Sequence, residues 1–393
     1  MQERFSIVET PEKGLGVIAM KNFDVGECIF TDYPFVSCLD SERDLNDLTV
    51  CNHCFRPTLP TLPDNRILSM LYHESMQQYR CRGCDTPYCS DKCSRRGQKS
   101  HICPNDNNFR ELMKHPLWKS STRFRLYCAA IVAVVNDFMV SDVDGLRVLN
   151  IMRGFAAPCL GHNHDDKREV YQGFLDRMEP AISLLRTAVQ AKCSSSAAEH
   201  RLGPVLDEAI SPEAYERFWR VCSTNAQALS HPSLAECALS VCAAESETSY
   251  LLELQGNAEG DDGTAHTGDA LAQVWEALPT CAFRSVACTG LYPVLCRMNH
   301  DCRPNATVRS MLGVPPDCLP CAPADSEQGQ VTDVGPAGVF ALRAIRCGEE
   351  VCINYLGEEF EREGEKSAGV NHLGKLCYEE LLERYAFRCS CSV

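Results

Sequence analysis

The spacing of apolar residues changes character along this chain, and each change marks a distinct region of the molecule. Over residues 5–36 the apolar positions fall in short, strand-like groups: Phe5, Ile7 and Val8, then Val17 to Met20, then Cys28, Ile29 and Phe30. The breaks between them, Pro11-Glu12-Lys13-Gly14 and Asp24-Val25-Gly26-Glu27, hold the residues that turns require. From Cys51 to Cys103, cysteine and histidine dominate. Between about 109 and 254 the spacing becomes helical, clearest over 126–139, 170–185 and 212–221. Residues 255–263 form a glycine- and acid-rich loop that buries too little to order itself. Residues 281–355 return to strands, broken by a Pro-, Gly- and Asp-rich loop over 315–338, and 373–385 read as a helix before a Cys-Ser-Cys tail. No internal repeat is present.

Strands at both ends, with cysteines and helices between them, predict an α+β fold in which one sheet domain is interrupted in sequence. The 393 residues suffice for two or three domains with sizeable cores. An apolar content of 45% and a charged content of 23% are ordinary for a globular protein. The start, Met1-Gln2-Glu3-Arg4, runs straight into a strand-like stretch and lacks a signal-peptide pattern. The longest apolar run, 127–135, is too short to span a bilayer. The expectation is a soluble monomer of the cytoplasm, the nucleus or both, without a membrane partner.

Charge and cysteine content sharpen this. The formal net charge of −15 argues against general nucleic-acid binding and suits a basic partner. Twenty-six cysteines suggest a disulfide scaffold only in a short secreted chain, which this is not. The clustered ones are candidate metal ligands; scattered ones such as Cys28, Cys128, Cys159, Cys193 and Cys237 read as small buried hydrophobes.

Cys51-x2-Cys54, Cys81-x2-Cys84, Cys89-x3-Cys93 and His101-x-Cys103 supply eight candidate ligands. Tetrahedral zinc takes four thiolate or imidazole ligands, so eight suit two closed structural sites with no open position for chemistry. One spacing is awkward: residues two apart on a helix diverge. Either the preceding helix ends before His101, or one of His101 and Cys103 is not a ligand. Residues 51–125 are also the most basic stretch, with 13 Lys/Arg against 6 Asp/Glu, a formal +7. Two Zn²⁺ add four charges and seven thiolates remove seven, leaving +4, a modest patch read as a solvated face. Cys318 and Cys321 have no partner pair and read as non-functional.

Three further pieces lie far apart. They are Lys13-Gly14-Leu15-Gly16, the run Asn299-His300-Asp301-Cys302-Arg303-Pro304-Asn305, and Gly348-Glu349-Glu350-Val351-Cys352-Ile353-Asn354-Tyr355. Gly-Leu-Gly alone reads as a hairpin turn. Together, in this order, the pieces resemble the split SET domain of protein-lysine methyltransferases. The cysteine pattern, with Tyr88-Cys89-Ser90, resembles the MYND finger, so the whole resembles the SET- and MYND-containing (SMYD) family. Cys51-Asn52-His53-Cys54 and the ending Tyr385-Ala-Phe-Arg-Cys-Ser-Cys resemble family members that lack a helical repeat domain after the SET region.

The resemblance implies more than the residues alone. It implies a β-rich SET domain with a pseudo-knot, divided into an N-terminal SET segment (1–50), a MYND finger (51–103), a helical insert (104–280), a SET core (281–358) and a post-SET tail (359–393). It implies S-adenosylmethionine as cofactor, held by Gly14, Leu15, Gly16, Asn299, His300 (backbone and ring, at the adenine end), Tyr355 and Phe387, the last covering adenine. Tyr355 is the implied catalytic residue, aligning a lysine amine, and Tyr292 lines the lysine channel or sits in the core. The MYND pairs would interleave, first with third and second with fourth. Cys302, Cys389 and Cys391 would share a third zinc, whose usual fourth cysteine falls after Val393. Asp301 stands where the family has serine and adds negative charge beside a positive sulfonium. The implied substrate is a protein lysine, with a histone or ribosomal protein in view. The alternative function is an adaptor, its finger binding a proline-containing peptide and its SET domain a scaffold.

Overall fold

The computed structural model describes residues 3–10, 13–39, 50–55, 79–155, 165–193, 199–231, 286–311, 337–356 and 381. The expected loops at 255–263 and 315–338, and nearly all of the expected helix at 373–385, lie outside these residues. So do Cys159, Cys237, Cys318, Cys321, Phe387, Cys389 and Cys391.

Near the N-terminus, β1 (Phe5–Thr10) pairs antiparallel with β2 (Gly14–Ala19), from Phe5↔Ala19 to Thr10↔Gly14. The turn therefore lies before Gly14, and the Gly-Leu-Gly expected as a turn opens β2 instead. Gly14 has φ +76°, a left-handed conformation in which glycine carries no Cβ penalty. β3 (Cys28–Asp32) and β4 (Val36–Leu39) complete the N-terminal strands.

Their partners lie some three hundred residues on. β3 pairs with β11 (Ala337–Ala341), which pairs with β10 (Ala306–Ser310). β4 pairs with β8 (Val286–Leu291). β2 is bonded to the 348–351 segment through Gly348 N–H to Ala19 O (2.7 Å) and Val351 N–H to Val17 O (2.8 Å). A core containing Val17, Ile29, Phe30, Val286, Val339, Val351 and Ile353 closes around these pairings, so both ends of the chain share one interior. Strands from both ends of the chain thus pair across the intervening residues, in a fold of mixed helix and strand as expected.

Between the halves, β5 (Tyr79–Arg80) and β6 (Pro87–Tyr88) lead into α1 (Asp91–Ser100), capped by the Ser90 hydroxyl accepting from Cys93 N–H. Short helices α2 (Arg110–Lys114) and α3 (Pro116–Ser120) precede α4 (Thr122–Val140) and α5 (Asp142–Gly154). α4 is buried almost all round from Phe124 to Val135, which makes it the central rod of the helical region. α6 (Asp165–Cys193) packs on it through Met178, Ile182, Leu185 and Val189, at helical spacing. α7 (Glu199–Ala209) and α8 (Pro212–Asn225) follow. The helical pattern was expected to run to 254. It is broken at Ala226–His231, a strand (β7) that pairs antiparallel with β8. The cause is tertiary: β8 has β4 on one edge, and β7 satisfies the other.

Arg125 ties rod to sheet. It is 8% exposed, and its guanidinium donates to Leu39 O (2.8 Å) and Trp118 O (3.0 Å). Cys28, Cys128 and Cys193 are buried, as expected for small hydrophobes. Among the described residues, no helix is long and apolar enough to cross a membrane.

Candidate active site and metal centres

The finger's ligands come together in two groups. Cys51, Cys54, Cys89 and Cys93 form one; Cys81, Cys84, His101 and Cys103 form the other, and within each group the ligand atoms lie within 4.8 Å of one another. This is the interleaved arrangement: first knuckle with third, second with fourth. The open question at His101 resolves locally, because α1 ends at Ser100 and His101 turns to φ −70°, ψ 122°. Extended backbone there allows His101 and Cys103 to point at one centre.

The donor set fits zinc. Burial pushes the Cys51 thiol up, but hydrogen bonds from Cys54, Cys89 and Cys93 outweigh it and hold it well below the usual range. Burial raises Cys84 to about 11. Four such donors converging on one point match the coordination a divalent ion such as zinc requires. Burial, and then the Lys192 charge, lowers His101 to about 4, leaving it neutral as a ligand must be. Its Nε2 faces Cys84 Sγ at 3.1 Å. Among the described residues, the buried cluster of the finger consists of cysteines and Tyr88.

The second centre forms where β2 meets two later segments. Asn299 and His300 make up β9 (Asn299–His300), which pairs in parallel with β12 (Cys352–Ile353) as Cys352↔Asn299 and Ile353↔His300. Asn299 Nδ2 donates to Glu350 Oε1 (2.7 Å) and reaches Leu15 O (3.3 Å). Glu350 Oε2 pairs with Lys13 Nζ at 3.1 Å. A Cβ on Gly16 would stand 2.8 Å from Glu350 Oε1 and 3.1 Å from Asn299 Nδ2, so this glycine is needed for close approach. The glycine-rich start of β2, the Asn-His pair of β9 and the strand segment around Glu350 thus meet at one place.

Tyr355 is held at three points. Its N–H donates to His300 Nδ1 (3.1 Å), its hydroxyl donates to Met298 O (2.6 Å), and its ring lies 5.4 Å from that of His300. The His300 ring, expected to help hold adenine, is buried with Nδ1 facing Tyr355 N–H and Nε2 facing Cys302 Sγ at 3.2 Å. It braces the tyrosine strand. Burial chiefly, and Lys13 secondarily, lower it to about 4 against the opposing pull of Asp301, so the ring is neutral.

Asp301 turns inward on its own loop: its Oδ1 accepts from Arg303 N–H (2.8 Å), an Asx turn. Tyr292 is 1% exposed and lies in the sheet core. Two residues of the quoted motifs gained no side-chain role from sequence. Glu350 links Lys13 to Asn299. Asn305, 3% exposed, clamps the loop by donating to Glu350 O (2.7 Å) and accepting from Cys352 N–H (2.8 Å). Glu350 was one acidic residue in an acidic chain, and Asn305 a loop asparagine; only tertiary placement distinguishes them. Further back, Asp32 Oδ2 accepts from Val294 N–H (2.8 Å) and Leu295 N–H (3.0 Å), fixing the turn that leads into Met298.

A sheet assembled from both chain ends around this three-piece centre defines a class, and the chain belongs to it: the SET domain family, whose model matches residues 14–356. Within curated proteins it is similar to protein-lysine N-trimethyltransferase SMYD5 of Gallus gallus, 23% identical over 96% of this chain and 83% of that protein. The SMYD5 of Homo sapiens is 24% identical over the same shares. Protein-lysine N-methyltransferase SMYD4 of Mus musculus is 32% identical over 105 residues, 25% of this chain and 12% of that protein.

Proposed function

We propose that this chain is an S-adenosylmethionine-dependent protein-lysine methyltransferase acting on the ε-amine of lysine in a basic protein, of the histone or ribosomal kind. The observation that carries this reading is the meeting of Gly16, Asn299, Glu350 and Tyr355 from three distant stretches. The relatives named as protein-lysine methyltransferases support it, and the adaptor alternative is not favoured.

When bound, S-adenosylmethionine supplies an electrophilic methyl group on a sulfonium. Gly14, Leu15, Gly16 and Asn299 would hold its methionine portion, the His300 backbone and Phe387 its adenine end. Glu350 and Asp301 give the cradle negative charge suited to a cation. Tyr355 orients the incoming amine. Its three tethers fix the phenol oxygen, so little freedom is lost when amine and methyl must align. A bulk lysine is protonated near neutral pH, so the site must take the neutral form, and desolvation beside the apolar core against which Tyr355 packs would disfavour the ammonium. The pseudo-knot formed by 299–305 and 348–355, and a post-SET tail over 359–393, belong to this reading.

Zinc is structural in it: one ion each for the two finger groups, and a third for Cys302 with Cys389 and Cys391. The reading also includes a monomer of cytoplasm or nucleus, with the finger offering a surface to proline-containing peptides. Calorimetry with S-adenosylmethionine tests the core of it. Heat of binding, with transfer of labelled methyl to a lysine-bearing protein, is the expected result; no heat would end the case for an enzyme.

A further inference from the structure

Between the two finger groups stands a side chain that belongs to neither ligand set. Asn52 lies inside the first knuckle, between Cys51 and Cys54, with its backbone N–H bonded to Pro87 O (3.0 Å). Its amide nitrogen, Nδ2, lies 3.4 Å from His101 Nδ1, and turning the amide by 180° about its last bond brings the carbonyl oxygen to that position. The other ring nitrogen, Nε2, is the one aimed at the second group, 3.1 Å from Cys84 Sγ. Tyr88, 0% exposed, stands edge-on to the His101 ring at 6.4 Å. The Tyr88 hydroxyl is buried and completes no hydrogen bond of standard geometry among the described residues, and the amide facing it is that of Asn52.

A neutral imidazole carries one N–H. A metal on Nε2 leaves that proton on Nδ1, so Nδ1 must donate and needs an acceptor. The Tyr88 hydroxyl also has a proton to donate. One amide oxygen, with two lone pairs, serves both.

We propose that Asn52 is a positioning residue for the second zinc site, its carbonyl oxygen accepting from His101 Nδ1–H and from the Tyr88 hydroxyl when metal is bound. The bond selects the tautomer and holds the ring plane. Because Asn52 is carried by the knuckle of the first site, it also ties the two sites together. Order in the first group fixes Asn52, and Asn52 fixes the histidine of the second. This inference rests on the two-zinc reading.

The test uses the full chain with zinc, titrated with a metal-binding dye, alongside a cobalt-substituted sample whose absorption separates a four-thiolate site from a three-thiolate, one-imidazole site. Wild type is expected to hold two ions in the finger; fewer would overturn the two-zinc reading itself. With that reading intact, Asn52→Ala is expected to weaken the imidazole-bearing site about 10- to 100-fold and leave the four-thiolate site close to wild type. Asn52→Asp, whose carboxylate accepts from both donors, is expected to restore it. Equal affinities at the second site in wild type and Asn52→Ala would overturn the proposal. So would loss from the four-thiolate site first, or failure of Asn52→Asp to restore binding while the four-thiolate spectrum persists.

Discussion

At the scale of single residues, the candidate active site is a set of constraints on a few polar atoms. Tyr355→Phe removes the hydroxyl donated to Met298 O and the oxygen that orients the amine. It is expected to lower methyl transfer by about 10²-fold or more while cofactor affinity measured by calorimetry changes little. Glu350→Ala frees Lys13 and strips Asn299 of its strongest acceptor, so the same calorimetry is expected to show weakened S-adenosylmethionine binding. Asp32 offers a test by pH. Burial raises its carboxyl above the ordinary value of 3.8, against hydrogen bonds from the Leu295 and Val294 N–H groups. The folded protein therefore holds this proton more tightly than the unfolded chain does. Stability falls as pH rises from the unfolded value through the folded one. Asn at position 32 keeps an oxygen for both N–H groups and cannot ionise, so Asp32→Asn is expected to flatten that portion of the stability profile in acid denaturation. Tyr355 and Asn299 were legible in sequence because their motifs are short and ordered. Glu350 and Asn305 were not, since their partners lie 45 to 51 residues away or at the opposite chain end.

At the scale of elements, the finger and the helical region differ in what holds them. Among the described residues, the finger's own buried cluster is its cysteines and Tyr88, a donor-rich interior whose fold is expected to depend on metal. A strong chelator is expected to expose 51–103 to protease cleavage while the helical core resists, as peptide mapping of the digest would show. The finger docks onto the helices through both polar and apolar contacts: Lys99 Nζ pairs with Asp137 Oδ1 (2.7 Å), Asn136 Nδ2 donates to Lys99 O (2.7 Å) near the end of α1, and Ile102 is buried in the helical core. The knuckle spacing made the finger readable from sequence, and the apolar run over α4 did the same for the rod. β7 was not readable. Ala226–His231 follows a long helical pattern, and its strand form comes from an edge of β8 that no local signal announces.

At the scale of the whole molecule, one interior is built from residues near both ends of the chain. Ile29, fully buried between segments contributed by residues 17–39 and 286–353, belongs to neither half alone. Ile29→Ala is expected to cost about 2–5 kcal/mol in denaturant unfolding. Net charge acts at this scale too: at −15, productive encounter with a basic substrate is expected to slow as salt is raised, seen as a fall in kcat/KM. The interrupted domain was legible because strand-like stretches reappear after the helices, whereas the pairing of β3 with β11 depends on packing alone. The two-residue ladder between β9 and β12 sets a last constraint. Tyr355 stands two positions beyond that ladder and Met298 one position before it, so slipping by a single residue would carry the phenol about 3.3 Å from its anchor. Insertions or deletions within 298–300 or 352–355 should therefore silence methylation outright, whatever their chemistry. Those short stretches must preserve their length as strictly as the identity of Asn299 and Tyr355.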